Sequence, residues 1–428
     1  MYNAYIETYG CAANQNNTEI MAGLLERAGF NVVSNENISD IAIINTCIVK
    51  GPTLQRMIDR IKKLKSKFLI VAGCMPDVEA AQITQLAPKA SLLGSHHIKE
   101  IVKVAKALIE EKRLVLIKHS NEVKLCAPKV RQNPIIGITQ ISEGCVGSCR
   151  FCIVRKAKRK LFSYPAEAII ENVKRDLEAG CKEIWLTSQD DGAYGLDSGK
   201  RELPKLLNNI VNLPGRFYVR LGMVNPNNIL PILNRLIECY KNKNKNKKLF
   251  RFLHLPLQSG SDKVLKDMNR EYKVKDFVKI IESFRKVIQD LTLSTDIICG
   301  YPTETKVDFA KTLALIKKIK PDIINISRFW PMPGTKASML KQISIKEIKK
   351  RSSELMSLSN SISLAKNKKL IGLRCKCLID KKGFDGTWLS RNSSYKLIVL
   401  RSKKNLLGKI VDVKVTNGMP HYLIGEII

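Results

Sequence analysis

The 428-residue sequence lacks any apolar run approaching the ~20 residues of a membrane span. Its start, Met1-Tyr-Asn-Ala-Tyr-Ile-Glu-Thr8, goes straight into a strand-like pattern and lacks the basic, apolar and small-residue layout of a signal peptide. A cytoplasmic chain with no membrane association is therefore expected. Acidic residues are scarce: 39 Asp+Glu stand against 73 Lys+Arg, a net charge of +34. Drift toward Lys and Asn, as in residues 241–248, adds acids as readily as bases, so the excess points to a polyanionic partner, nucleic acid first. Aromatic content of 6% and hydrophobic content of 44% fit a globular protein, and this length implies two or three domains. Twelve cysteines in an unexported chain argue against a disulfide framework and for metal or redox chemistry, with the remainder serving as small core residues.

Cys145, Cys149 and Cys152 form C-x3-C-x2-C, and no fourth thiolate accompanies them. A [4Fe–4S] cluster has four irons that each want a ligand, usually a thiolate. Three thiolates leave one iron open to bind a small molecule and pass it an electron. Zinc is the alternative occupant, but its pairs are usually C-x2-C with a second pair further on. No second pair follows Cys152 and no His lies near it.

Residues 1–110 alternate strand and helix: strands over 2–8, 41–45 and 68–72, helices over 17–28 and 53–65. This order predicts a parallel sheet covered by helices. Residues 111–133 are polar and irregular and read as a linker. From 134 to 343 strand-like runs at 135–141, 183–188, 217–222, 250–257, 292–298 and 322–328 alternate with helical patterns. Six such units make a partial (β/α)6 barrel, since a closed one needs eight. A connecting helix over 344–365 leads to residues 366–428, where the period changes to two. Five short strands there predict a small β-barrel of the kind that binds nucleic acid. This tail carries 14 Lys+Arg against 4 Asp+Glu, and Trp388, Tyr395 and Tyr422 are candidates either for stacking on bases or for its core.

A second cysteine trio is scattered in sequence. Cys11, Cys47 and Cys74 each come just past the carboxyl end of a predicted parallel strand. Those ends share one edge of an open α/β sheet, where ligands bind, so the three thiols can converge on a second cluster. Gly10, Thr46 and Gly73 beside them allow close backbone approach.

These features resemble the methylthiotransferase branch of the radical S-adenosylmethionine enzymes over essentially the whole chain. The resemblance is carried by Thr8-Tyr-Gly-Cys-Ala-Ala-Asn14, Asn45-Thr-Cys47, Ala72-Gly-Cys-Met-Pro76, Gly144-Cys through Cys152, His254-Leu-Pro-Leu-Gln-Ser-Gly-Ser261 and Thr295-Asp-Ile-Ile-Cys-Gly-Tyr-Pro302. The tail resembles the TRAM RNA-binding domain. Residues 47–53, 155–165 and 188–195 look most like the archaeal and eukaryotic type that acts on threonylcarbamoyladenosine in tRNA. Other members act on isopentenyladenosine in tRNA or on a ribosomal protein. Thr303 stands where the family usually has glycine, and Arg159-Lys160 where Arg-Gly is usual.

The resemblance implies two [4Fe–4S] clusters, held by Cys145, Cys149 and Cys152 and by Cys11, Cys47 and Cys74. At the first, S-adenosylmethionine is cleaved to methionine and a 5′-deoxyadenosyl radical, which takes hydrogen from C2 of the adenine. The second carries sulfur, methylated by another S-adenosylmethionine. Partners so implied are the tRNA anticodon stem-loop, an electron donor such as a ferredoxin or flavodoxin, and an unidentified sulfur source. Ser188, Gln189, Gln258, Ser259, Gly300 and Pro302 lie just past predicted strands and are cofactor-binding candidates, with turn and capping chemistry as the plainer reading. Arg155, Lys156, Lys158, Arg159 and Lys160 follow the cluster loop and suit tRNA phosphates. Arg220 can pair with a carboxylate, either of the substrate or internal. A non-catalytic RNA-binding protein with a redox-sensing cluster is the alternative from a different class. Cys299 is expected near the cofactor, while Cys126, Cys181, Cys239, Cys375 and Cys377 are expected to be inert.

Overall fold

The structure, a computed structural model, describes residues 1–48, 51–64, 67–241 and 248–428. Val49 and Lys50 of the 47–53 stretch, Lys65 at the end of an expected helix, and residues 242–247 of the Lys/Asn run lie outside these.

The first layer is a wholly parallel sheet. Its strands are β1 (Asn3–Thr8), β2 (Asn31–Val33), β3 (Ile41–Thr46), β4 (Phe68–Gly73), β5 (Ser91–Gly94) and β6 (Val115–Leu116), in the order β2-β1-β3-β4-β5-β6. Ile41, Ile43 and Ile70 enter one helix-covered core, and Ala42, Ile44 and Val71 enter the other, the period-two division of a strand buried on both faces. The first helix runs Ala12–Arg27 and starts five residues before the expected one. Its opening turns are polar yet buried: Asn14 Nδ2 donates to the Tyr9 and Thr46 carbonyls, and Asn45 Nδ2 donates to the Asn14 carbonyl. Asn14, Asn16, Asn17 and Glu19 are all buried, and polar residues on the inner face hide the helical period from the sequence. The segment 111–133 is packed rather than free: it supplies β6, and Lys124 and Leu125 are buried.

The second layer holds β7 (Ile136–Gln140), a small antiparallel pair β8 (Ser142–Glu143) and β9 (Phe162–Ser163), then β10 (Glu183–Thr187), β11 (Tyr218–Arg220), β12 (Phe252–His254), β13 (Thr292–Cys299) and β14 (Ile323–Arg328). Parallel pairing runs β7-β10-β11 and β12-β13-β14, and the two halves are joined by parallel bridges Val219–Leu249 and Met223–His254. Six parallel strands thus curve into a partial barrel. Ile184, Leu186, Val219, Leu221, Leu253 and Leu293 face the surrounding helices. By alternation, Trp185, Arg220, Phe252, His254 and Asp296 face the lumen.

The helix Ile345–Lys368 leads to β15 (Arg374–Lys382), β16 (Thr387–Asn392), β17 (Leu397–Arg401), β18 (Ile410–Gly418) and β19 (Leu423–Ile427), a closed barrel ordered β15-β16-β17-β19-β18. Lys366 and Lys396 both reach Asp322 at 2.6 Å and tie this tail to the start of β14. No helix among the described residues is long and apolar enough to cross a membrane.

Candidate functional site

β1, β3 and β4 are neighbours in register, with Thr8 opposite Asn45 and Thr46 opposite Gly73. Their carboxyl ends therefore deliver Cys11, Cys47 and Cys74 to one edge. Cys11 caps the first helix and is exposed, while Cys47 and Cys74 are buried. A Cβ on Gly10 would lie 2.7 Å from Cys47 Cβ, and one on Gly73 would lie 2.5 Å from Asn45 Oδ1. Both glycines have positive φ, +111° and +92°, so the cradle depends on residues without a side chain. Burial, with Cys11 and Cys47 close by, pushes the Cys74 thiol up to about 12.

The trio Cys145, Cys149 and Cys152 follows β7 and β8. A Cβ on Gly147 would stand 3.4 Å from Cys145 Sγ and 3.8 Å from Cys149 Sγ. Burial pushes Cys145 up to about 11 and Cys152 up to about 12, with Cys149 adding to both. Thiols held this way stay protonated until a cation replaces the proton, as in sites built for metal. Arg270 Nη1 donates to Cys149 Sγ at 3.1 Å, and Arg270 is held by Asn225, itself fixed by Asp190. Asn269 and the Met268 carbonyl clasp Ser148 and Arg150, so the loop 268–270 braces the cysteine loop. All twelve cysteines are described and none forms a disulfide. No group of three His, Cys, Asp or Glu among the described residues is placed to hold a single metal ion. The converging thiols, each trio around a glycine cradle, fit a larger cluster.

Cys74 packs in one apolar cluster with Ile153 and Ala157, directly after Cys152. Beside them lies a buried ion network: Glu143 accepts from Lys158 at 2.6 Å and Lys124 at 2.7 Å. Burial alone would raise Glu143, but the two ammonium groups outweigh it and hold the carboxyl well below its usual range. Burial opposes the charge of Lys158, and Glu143 overcomes this and keeps it charged. Full burial lowers Lys124 and Glu143 works against that, while its Nζ also donates to the Ser95 carbonyl at 2.8 Å. Burial lowers His96 to about 4, so its ring is neutral. The network leaves one net positive charge beside Cys74 and Cys11.

Lys158 therefore departs from the expectation of a phosphate contact. It is 2% exposed, because the short helix Val154–Lys158 turns Ala157 and Lys158 inward. Arg155, Lys156, Arg159 and Lys160 are exposed around it. Arg159 takes φ +60°, whereas Thr303 and Lys160 do not have positive φ, so neither of those two needs glycine.

The cofactor candidates divide. Ser188 Oγ donates to Asp191 and accepts from the Asp190 N–H, and Ser259 is fully buried and accepts from the Ser261 N–H. Both do turn chemistry. Gln189 Oε1 accepts from the Gly144 N–H at 2.7 Å and so steadies the cysteine loop. Gln258, at φ +68°, bridges to β13 through Asp296 and Ile298 and stays partly exposed, as does Pro302. Gly300 faces Ile348 of the connecting helix and donates to Glu304. Cys299 is buried in the helix-side core, away from the lumen. Trp388 packs in the tail's core, and Tyr395 packs against Phe250 and Phe252, so neither offers a face to RNA.

Arg220 pairs with no carboxylate among the described residues. Its guanidinium lies 5.0 Å from the Trp185 ring, 5.4 Å from Phe252 and 5.5 Å from Tyr395, and its buried Nε has no hydrogen-bond partner. Further along the lumen His254 Nε2 meets Asp296 at 3.0 Å, and Asn325 donates to Asp296 at 2.8 Å. Arg270, His254 and Asp296 were missed by sequence reasoning, although the latter two lie inside the stretches 254–261 and 295–302.

Residues 3–94 match the Uncharacterized protein family UPF0004, 139–316 the Radical SAM superfamily and 368–428 the TRAM domain. A solved radical S-adenosylmethionine methyltransferase from Kitasatospora setae, with cobalamin and a [4Fe-4S] cluster bound, shares the fold at TM-score 0.56 and 11% identity, covering 78% of this chain and 77% of that one. A probable threonylcarbamoyladenosine tRNA methylthiotransferase of Methanothermobacter thermautotrophicus is 37% identical over 99% of both chains. One from Pyrococcus horikoshii is 38% identical over the full length of both. The human threonylcarbamoyladenosine tRNA methylthiotransferase is 33% identical over 99% of this chain and 73% of its own length. With that identity end to end, across all three matched segments, the chain belongs to the threonylcarbamoyladenosine tRNA methylthiotransferase family of radical S-adenosylmethionine enzymes.

Proposed function

We propose that this chain adds a methylthio group to C2 of N6-threonylcarbamoyladenosine next to the tRNA anticodon. The observation that carries the reading is the pair of cysteine trios, each following strand carboxyl ends, with Cys74 of one packed against Ile153 and Ala157 of the segment that follows the other. Cys145, Cys149 and Cys152 would hold one [4Fe–4S] cluster and Cys11, Cys47 and Cys74 the other. When bound, the clusters with S-adenosylmethionine supply the radical that activates an unreactive C–H bond and the methylated sulfur that replaces the hydrogen.

The chain's own residues supply position. Arg270 and Gln189 hold the loop that carries the first trio. The charge of the Lys124–Glu143–Lys158 network favours an anionic group at the second. Gln258, Gly300 and Pro302 border the barrel mouth and remain candidates for contact with S-adenosylmethionine, and Ser188 and Ser259 shape the turns beneath. Arg220 makes no salt bridge among the described residues, its Nε has no hydrogen-bond partner, and it suits the carboxylate of the threonylcarbamoyl group, a pairing Arg makes strongly. Arg155, Lys156, Arg159 and Lys160 are exposed beside the site and suit phosphates of the anticodon stem-loop. The cytoplasm, with a ferredoxin or flavodoxin as electron donor, is the setting this reaction implies.

The test is turnover by reduced, cluster-loaded protein on tRNAs that carry threonylcarbamoyladenosine or isopentenyladenosine. Methylthiolation of the first alone is expected. Product only on the second would overturn the substrate and keep the chemistry.

A further inference from the structure

The C-terminal barrel does more than extend the basic surface: one of its loops forms the floor of the radical S-adenosylmethionine barrel. The cysteine loop leaves β7 at its carboxyl end, so the mouth of the barrel lies there. The opposite, amino-terminal end is met by residues 392–396, the turn between β16 and β17. The Arg251 N–H donates to the Ser393 carbonyl at 2.9 Å, Ser394 Oγ donates to Asp290 at 2.7 Å, and Arg251 pairs with Asp290 at 2.8 Å. Tyr395 is carried into the floor at φ +60°, a conformation L residues seldom hold unless their surroundings fix it. Its ring centroid lies 4.8 Å from that of Phe250 and 4.9 Å from that of Phe252. Arg391, anchored to Asp380, sits 4.5 Å from the same ring.

Arg220 stands on this floor. Trp185 is its cross-strand partner in the β10–β11 pair, Phe252 comes from the next strand, and Tyr395 from below, so three rings surround the guanidinium. Ring faces attract a cation without using its N–H donors. The guanidinium is thereby fixed in place while its donors stay available. On β10, Trp185 is two residues short of the carboxyl end, a depth of about 7 Å at ~3.3 Å per residue. A group hanging from N6 of a base held at the mouth has to descend about that far.

We propose that Tyr395, although it belongs to the C-terminal barrel, is a positioning residue of the substrate pocket: it holds Arg220 for an anionic N6 substituent on the target adenosine. This rests on the Arg220 assignment above and adds to it. The RNA-binding tail then completes the pocket that reads the modified base, as well as helping to hold the tRNA.

The experiment compares the affinity of full-length, cluster-loaded protein for one tRNA with and without the threonylcarbamoyl group. The wild type is expected to prefer the modified tRNA by about tenfold or more, the effect of one charge-assisted hydrogen bond. Arg220→Met should abolish that ratio. Tyr395→Leu should remove most of it and leave the affinity for unmodified tRNA within about twofold of wild type, whereas Tyr395→Phe should keep it. If Tyr395→Leu does not fold, Tyr395→Met fills the socket without a ring and is expected to lose the ratio in the same way. A full ratio in the leucine or methionine variant, with loss in Arg220→Met, overturns the role of Tyr395 and leaves the Arg220 assignment standing. Equal weakening toward both tRNAs reduces Tyr395 to a domain contact and overturns it too. No preference in the wild type, or full preference in Arg220→Met, overturns the Arg220 assignment and the role of Tyr395 with it.

Discussion

Glu143 is the single carboxylate between Lys124 and Lys158, and replacing it with glutamine tests whether the two cysteine-bearing layers are joined by charge. Both partner ammonium groups are at most 3% exposed and lie 2.6 and 2.7 Å from its oxygens. Glutamine keeps the shape and leaves two like charges buried together. Removing one partner of a buried ion pair costs about 3–5 kcal/mol, because the remaining charge is uncompensated. For domains of this size each kcal/mol lowers the midpoint by roughly 2–4 °C, so Glu143→Gln should unfold on the order of 10 °C early. Adding Lys124→Met returns the network to one net positive charge and should recover at least half of the loss. The assay is anaerobic thermal unfolding of the cluster-loaded protein, with iron content measured alongside. A Glu143→Gln midpoint within about 2 °C of wild type would refute the argument that this network is ionised and holds the layers together.

Three further outcomes follow from the same geometry. Burial, with Asp380 nearby, pushes Glu183 from its ordinary 4.5 up to about 7. A carboxyl raised by folding binds its proton more tightly when folded, so its contribution is greatest below pH 4.5 and is lost as pH rises through 7; Glu183→Gln should match wild type at pH 5 and be more stable at pH 8, by up to about 3 kcal/mol, in denaturant titrations. Gly73→Ala places a Cβ against Asn45 and Thr46 at positive φ and should cost about half of the bound iron by chemical assay, since only the second trio depends on it. Replacing Arg155, Lys156, Arg159 and Lys160 by glutamine should flatten the salt dependence of tRNA binding by about one unit for each phosphate no longer neutralised, whereas Lys158→Met should lower thermal stability and leave that slope unchanged.

The parts visible in the sequence were those carried by local pattern. Cys11, Cys47 and Cys74 could be brought together because each ends an apolar strand of a parallel sheet, and parallel strands put their carboxyl ends on one edge. The tail's five strands showed through their period of two and their turn glycines. Lys158 was misread because a run of bases looks alike residue by residue, and which one turns inward depends on how the short helix Val154–Lys158 packs against Cys74 and Glu143. The helix at Ala12 began unseen because its opening turns are polar yet buried, with Asn14 donating to the Tyr9 and Thr46 carbonyls. The floor of the barrel was beyond reach for the same reason: Arg220 and Tyr395 are 175 positions apart in the chain, and nothing near either residue signals the other.

The measurement that bears most directly on the central claim is mass spectrometry of nucleosides from tRNA of cells that express this chain or its Cys149→Ala variant. A methylthio-threonylcarbamoyladenosine peak present with the wild type and absent with the variant is the predicted result. A wild-type sample without that peak, while the reduced and cluster-loaded protein still cleaves S-adenosylmethionine, would contradict the assignment of this nucleoside as the substrate.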